Sequence, residues 1–402
     1  MKITNLAPEF IKAMPILQKI EAAGYEAYFV GGSVRDTLLH LPIHDVDIAS
    51  SAYPAEIKDI FSHTIDTGIQ HGTVTVMQGK EGYEITTFRT ESGYQDFRRP
   101  DKVTFVRSLA EDLKRRDFTI NALAMRHNGE IVDLFDGLTD LKRKIIRAVG
   151  DPNERFHEDA LRMMRAVRFE AKLGFEIEEH TAQALLKHHV LLAKIAVERI
   201  HVEFVKMMMG HWRNNGLRSF LNAHLFENCP GFAQHGNDLA TILQLAATPL
   251  TNEASVWTLV AVACHLNDRQ TSKLLRQWKS SNDLINVVSA AVKFLDTWQS
   301  NTLTPWNYYQ TGEAALNAAL TIAKLYKPEL DITQYQQRYF ELPIHNRAEM
   351  SISGGDLIKN LDLQPGPQVG KLVNEIEQRV VNGIVPNDAA AIYTDVQQNL
   401  LN

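Results

Sequence analysis

The chain has 402 residues, 45% hydrophobic and 22% charged, a net charge of −6 and only two cysteines, Cys229 and Cys264. This length exceeds one ordinary core, so two to four domains are expected, and no apolar run approaches the roughly 20 residues that span a bilayer. Two cysteines without metal-ligand spacing argue against a disulfide or zinc scaffold and suit a reducing cytoplasm, and the start MKITNLAPEF lacks a leader pattern.

The acidic total hides a segregation of charge. An acidic chain is a poor nucleic-acid binder, because such affinity rests on phosphate neutralisation. From Arg98 to Arg126, however, eight Lys/Arg stand against four Asp/Glu, and from Lys142 to Lys172 nine stand against five. Each segment carries +4.

The N-terminal third reads as mixed α/β. A helix ends near Gly24, and strands are expected in YEAYFVGG (25–32), DVDIASSA (45–52), TVTVMQG (73–79), YEITTFR (83–89) and VTFVRS (103–108). Helices are expected in SVRDTLLHL (33–41), PAEIKDIF (54–61) and RDFTINALAM (116–125). Asn128-Gly129 suits a type I′ hairpin turn. Strands cease after about Asp136, and helical patterning follows, with loop signals at 210–216, 247–255 and 299–306. The fold class is α+β: a head of mixed sheet and helices, then an all-helical remainder.

Asp45 and Asp47 are two apart in a strand-like run, so both side chains leave one face. Such a pair cannot be ionised and buried without a cation, and hard oxygen ligands suit Mg²⁺. A solvated strand end and the D-x-D of sugar transferases remain open on this pattern alone. Gly31-Gly32 follows an apolar strand and precedes a helix, which leaves backbone amides bare for phosphate, and Arg35 can add a forked donor. A dinucleotide-binding turn would need a further glycine that is absent. Glycine turn, Arg-Asp and acidic pair together look like a polymerase-β-type nucleotidyltransferase head, in which Glu84 is the candidate third carboxylate.

In LKRRDFTINALAM, Asp117 is read as a helix cap and Arg116 as a triphosphate contact, a solvated charge run being the alternative. In ERFHEDALRMMRAVRFEAKLGF (154–175), Asp159, Arg162, Arg165 and Arg168 recur every third residue, opposite Leu161, Met164 and Val167. An exposed helix with ion pairs three apart would look the same. Yet a carboxylate only accepts and a guanidinium only donates. Cytosine and adenine both offer an amino donor beside a ring acceptor, whereas uracil and guanine offer the reverse. An Asp159–Arg162 pair would admit C and A and reject U and G.

GGSVRD with HDVDIA, RRDFTINALAM, FDG at 135–137, EDALRMMRAVRF and VERIHVEF (197–204) occur in the order of the class II CCA-adding tRNA nucleotidyltransferases, which the first 205 residues resemble closely. The short Gram-positive form without a His-Asp domain is the nearest type. The resemblance implies a head over 1–140, a neck over 141–210, a helical body over 211–300 and a tRNA-binding tail over 301–402. It implies addition of C, C and A to tRNA lacking a complete 3′ end, from CTP and ATP with Mg²⁺, by a cytoplasmic homodimer with no membrane contact. By position, Asp45 and Asp47 would bind metal. Gly32, Arg35 and Arg116 would hold phosphates and sugar, while Asp159, Arg162, Arg165 and Arg168 would form the nucleotide pocket. Glu198-Arg199 resembles the motif that props the templating helix, and 87–102 is a candidate lever for switching from C to A. Bacterial poly(A) polymerase, a CC-only or A-only relative and an idle tRNA binder are the rivals; GIQHGTVTV (68–76) looks like the CCA-adding version of that turn.

Overall fold

The computed structural model describes every residue except 44, 96–98 and 402, and every side chain outside 91–102. Part of the candidate lever at 87–102 therefore lies outside the described residues. Two compact units divide the chain, Met1–Gly236 and Asn237–Asn402.

The first unit begins with helix α1 (Pro8–Ala22) and strand β1 (Ala27–Val30), then α2 (Gly32–Leu38), β2 (Asp47–Ser50), α3 (Pro54–Ile60), β3 (Thr64–Gly68), β4 (Thr73–Gln78) and β5 (Glu81–Thr87). A hairpin of β6 (Arg89–Gln95) and β7 (Arg99–Phe105) follows, then α4 (Leu109–Lys114), β8 (Leu123–Met125) and β9 (Ile131–Asp133). Seven strands form one sheet in the order β3-β4-β5-β2-β1-β8-β9. Only β2 and β5 run parallel within it, Ile48 lying beside Ile85. β1 is buried along its whole length, as expected of a central strand. Phe10 of α1 packs edge-on against Phe29 of β1 at 4.8 Å.

Four sequence expectations need correction. RDFTINALAM is not a helix: Thr119–Asn121 forms one 3₁₀ turn, and Leu123–Met125 becomes β8. Its apolar spacing fits either period, and pairing of Val30 with Ala124 and Phe29 with Met125 decides for strand. The hairpin at Asn128-Gly129 is not type I′, since only Gly129 takes a positive φ, 83°. Hydrogen bonds from Gly129 N to Arg126 O and from Arg126 N to Glu130 O make a three-residue loop with a glycine bulge. Strands do not end at Asp136, because β10 (Ile145–Ile146) pairs with β11 (Glu176–Ile177). The segment 210–216 is mostly the start of a helix and not a loop.

The remaining helices of this unit are α5 (Gly137–Arg143), α6 (Pro152–Glu158), α7 (Leu161–Leu173), α8 (Glu179–His188), α9 (Val197–Met208) and α10 (Arg213–Asn222). Helix α7 buries Met164 and Val167 completely. Its back is approached closely by α10, where a Cβ on Gly216 would lie 2.4 Å from Val167 O and 2.7 Å from Ala171 Cβ.

The second unit is helical throughout. Helices 253–263, 268–277, 282–299 and 305–326 surround an edge-on Trp257–Trp278 contact at 4.8 Å. Helices 354–360 and 367–381 flank a turn at Pro365-Gly366. Cys229 and Cys264 are free and buried.

The Gly216 contact is with backbone, which cannot swing aside. Gly216→Ala should cost about 1–3 kcal/mol of stability by overpacking α10 against α7, measured by urea denaturation; an unchanged midpoint would show that the helices part without cost.

Candidate active site

β1 delivers the chain to Gly31, where φ 74° and ψ −136° turn it into α2. That conformation favours glycine. A Cβ there would also lie 3.2 Å from Arg116 Nη1 and 3.7 Å from Asp47 Oδ2. The bare turn lets a cation and a carboxylate close over it. A cleft of about 480 Å³ opens at this point. It brings together Gly32, Arg35, Asp47, Arg116, Asp159, Arg162, Arg165 and Arg168, all expected from sequence, and adds Arg115, Asp117, Asn121, Phe169 and Lys172. Seven cations thus share the wall with three carboxylates.

Asp47 opens β2 and Asp45 precedes the strand. Both are exposed. Because Ile48 pairs with Ile85, Glu84 falls beside Asp47 on the neighbouring parallel strand. Asp45 and Glu84 do not line the cleft itself. Although open to solvent on one side, Asp47 has protein around much of its carboxyl. This burial, then like-charged Asp45, raises its pKa; Arg116 opposes and Glu84 adds to the rise. Among the described residues no three His, Cys, Asp or Glu side chains form a closed metal-ligand set. The donors nevertheless fit a hard divalent ion: Asp47 beside Asp45, with Glu84 next to it on the adjacent strand, offers oxygen ligands open to solvent.

Each arginine is pinned from behind. Arg35, 4% exposed, donates to Asn121 Oδ1 at 2.5 Å and pairs with Asp36 at 2.7 Å. Asp112, 1% exposed, takes Arg115 at 2.8 Å and Arg116 at 3.4 Å, and accepts the Arg89 amide at 3.4 Å. Burial pushes Asp112 up, but the two guanidiniums prevail and hold its pKa below the usual range. Arg116 Nε is buried without a partner among the described residues. Arg165 donates to Asp117 Oδ2 at 2.7 Å, and Arg168 pairs with Glu203 at 2.9 Å.

Residues 154–175 differ from the single helix expected. α6 stops at Glu158, Asp159 is extended at φ −139° and ψ 102°, and α7 begins at Leu161. Asp159 therefore sits at a joint, its Oδ1 accepting the Leu161 amide at 3.0 Å. Arg199 of α9 grips both its oxygens, at 2.8 and 3.3 Å. The Arg162 guanidinium does not pair with the Asp159 carboxylate: the Arg162 amide donates to Asp159 O at 3.0 Å, while its side chain donates to Glu158 at 3.0 Å and to Arg115 O at 2.7 Å. Asp159 and Arg162 face one cleft from separate anchors. Sequence reading missed Asp117 as the Arg165 partner, although Asn121 four residues on, donating to Asp117 Oδ1 at 2.9 Å, was a visible signal. Glu158 and Glu203 were missed because their partners are identified only by folding.

The molecule can be placed by comparison. Residues 27–147 match a family model described as the poly A polymerase head domain. Residues 174–235 match an RNA and SrmB binding site of polymerase A, and 248–396 match tRNA nucleotidyltransferase domain 2. The CCA-adding enzyme of Lacticaseibacillus paracasei is 55% identical over 404 residues, with all of both chains covered. The chain belongs to the CCA-adding enzymes. That of Latilactobacillus sakei is 54% identical, covering 98% of this chain and 99% of its own. A crystal structure of the Bacillus stearothermophilus CCA-adding enzyme in complex with CTP is 38% identical, with a TM-score of 0.88 and 98% of each chain covered. The Thermotoga maritima CCA-adding enzyme complexed with tRNA, 19% identical at a TM-score of 0.65, shares the fold. The family and the polymerase-β-type head with a helical remainder were thus correctly expected from sequence.

In this CCA-adding enzyme, burial alone would raise Asp117, but Arg165 and the Asn121 amide hold it at about 2 against an ordinary 3.8. A folded pKa below the unfolded one gives stability that is present at neutral pH and lost as pH falls from about 4 toward 2. Asp117→Asn should lower stability at neutral pH and flatten the acid limb in urea melts recorded across that range. An acid limb as steep as wild type would contradict the pairing.

Proposed function

We propose that the chain adds C, C and A to the 3′ ends of tRNAs that lack them, using CTP and ATP and releasing diphosphate. The observation that carries this reading is the convergence of seven cations, Asp47 and the separately anchored Asp159 and Arg162 on a single cleft of about 480 Å³. A volume in this range suits a nucleotide-sized ligand.

Arg35, Arg116, Arg165 and Arg168 receive the triphosphate and sugar. Beside Gly32, where a Cβ would lie 3.5 Å from Arg35 Nη2, no side chain obstructs the phosphates. Asp159 keeps a lone pair on Oδ2 for an exocyclic amino group, and Arg162 keeps donors for the ring nitrogen of C or A. The tRNA 3′-oxygen attacks the α-phosphorus in line as the bond to the β-bridging oxygen breaks. Asp45 and Asp47, with Glu84 beside Asp47, would hold Mg²⁺, which when bound lowers the pKa of the attacking hydroxyl and stabilises the leaving oxygen. Head (1–140) and neck (141–210) divide this chemistry, followed by a helical body (211–300) and a tail (301–402) that holds tRNA.

A homodimer and a cytoplasmic location complete the proposal. Among the described residues no helix is long and apolar enough to cross a membrane.

Incubation with tRNA lacking its 3′ end, Mg²⁺ and CTP alone should yield C-C, and CTP with ATP should yield C-C-A, read by sequencing the termini. A long A tail, a stop at C-C with both nucleotides, or no extension would each select a rival, and Asp47→Ala should reduce extension to background. Asp159→Ala should erode discrimination of CTP over UTP by roughly ten- to a hundredfold, the worth of a hydrogen bond to a charged acceptor. Retained selectivity would contradict the base-reading role of Asp159.

A further inference from the structure

Phe169 is 4% exposed, next to Arg168 and four residues after Arg165 on α7. Its position would pass for core packing, yet the ring lines the cleft. Three guanidinium carbons lie over it: Arg168 at 4.2 Å, Arg35 at 5.0 Å and Arg165 at 5.4 Å from the centroid. Phe118 braces the ring edge-on at 5.8 Å, and Phe118 follows Asp117, the carboxylate that holds Arg165.

The nearest anionic partner of each cation is different. Arg35 pairs with Asp36 of α2, Arg165 with Asp117 in the turn before β8, and Arg168 with Glu203 of α9. Those partners lie on different elements; Glu203 also reaches Arg165 at 4.0 Å, but neither Asp117 nor Glu203 ties Arg35 to the other two. The aromatic ring is a contact that all three share. Its quadrupole attracts each cation without neutralising it, so the guanidiniums are gathered at one place while their positive charge stays available to a phosphate. A carboxylate in that position would cancel the charge, and an aliphatic side chain would fill the space without attraction.

We propose that Phe169 is a positioning residue that holds Arg35, Arg165 and Arg168 together for the nucleotide's triphosphate. This rests on the reading of those arginines as nucleotide contacts. The ring acts on groups common to CTP and ATP, so its loss weakens both equally and leaves base choice alone.

The test is a graded one. Phe169→Leu, together with trifluoro- and pentafluorophenylalanine introduced at position 169, is compared with wild type in calorimetric titrations of CTP and of ATP and in extension kinetics. Fluorination nearly preserves ring shape while draining the π-face. Dissociation constants for both nucleotides should rise in parallel and in order of fluorine content. The leucine variant should be weaker by about tenfold, equivalent to about 1.4 kcal/mol. KM should follow, with kcat little changed, as expected when uniform binding is lost. Constants that stay flat across the fluorinated series overturn the proposal, even where Phe169→Leu is impaired, because packing alone would then explain the leucine result. A wild-type chain that binds both nucleotides but extends no tRNA would overturn the proposed function and leave the role of Phe169 standing.

Discussion

Like charges confined to one wall repel one another, and the cleft holds seven of them. What keeps the wall intact is a set of carboxylates placed behind it by elements distant in sequence: Asp112 from α4, Asp117 from the turn before β8, Glu158 from the end of α6 and Glu203 from α9. Most of these carboxylates are buried or nearly so, where the attraction is less screened than at the surface. Burying a charge is costly unless it is paired, so the arrangement is stable only when sheet, α7 and α9 are all in place. The fold and the binding wall therefore depend on the same contacts.

In the proposed function, pinning from behind would also supply selectivity. Asp159 held by Arg199, and Arg162 held by Glu158 and the Arg115 carbonyl, are ordered before any ligand arrives. On that proposal a wrong base would meet fixed donors and acceptors that it could not draw into new pairs. Had the side chains of Asp159 and Arg162 bonded to each other, both would have to be prised apart to read a base. The break between α6 and α7 matters here because it frees Asp159 from the helical repeat and aims it independently of Arg162. Where charge is instead left unsatisfied, at Asp47 beside Asp45 and Glu84, the chain offers oxygen ligands that call for a cation.

Much of this was legible in the sequence because it is local. The apolar run into Gly31-Gly32, the acidic pair and the arginines at every third residue are patterns of spacing, and spacing survives into the structure. The helix assigned to RDFTINALAM was wrong because Phe118, Ile120, Leu123 and Ala124 satisfy a helical period equally well, and only the free edge of β1 decides otherwise. The joint at Asp159 was hidden because nothing in EDALR breaks a helix; a partner 40 residues away, Arg199, holds it open. Phe169 gives no sign of its surroundings in the sequence, since one of its three cations comes from α2, more than 130 residues earlier. What the sequence concealed was consistently long-range pairing, which acts through folding and leaves no periodic trace.

A crystal structure of the chain with bound CTP measures the central claim most directly. The account predicts the cytosine amino group at Asp159, its ring nitrogen at Arg162, and the triphosphate among Arg35, Arg116, Arg165 and Arg168. It also predicts that the Arg199–Asp159 and Glu158–Arg162 pairs survive binding. A base directed elsewhere, or either pair broken by the ligand, would contradict it.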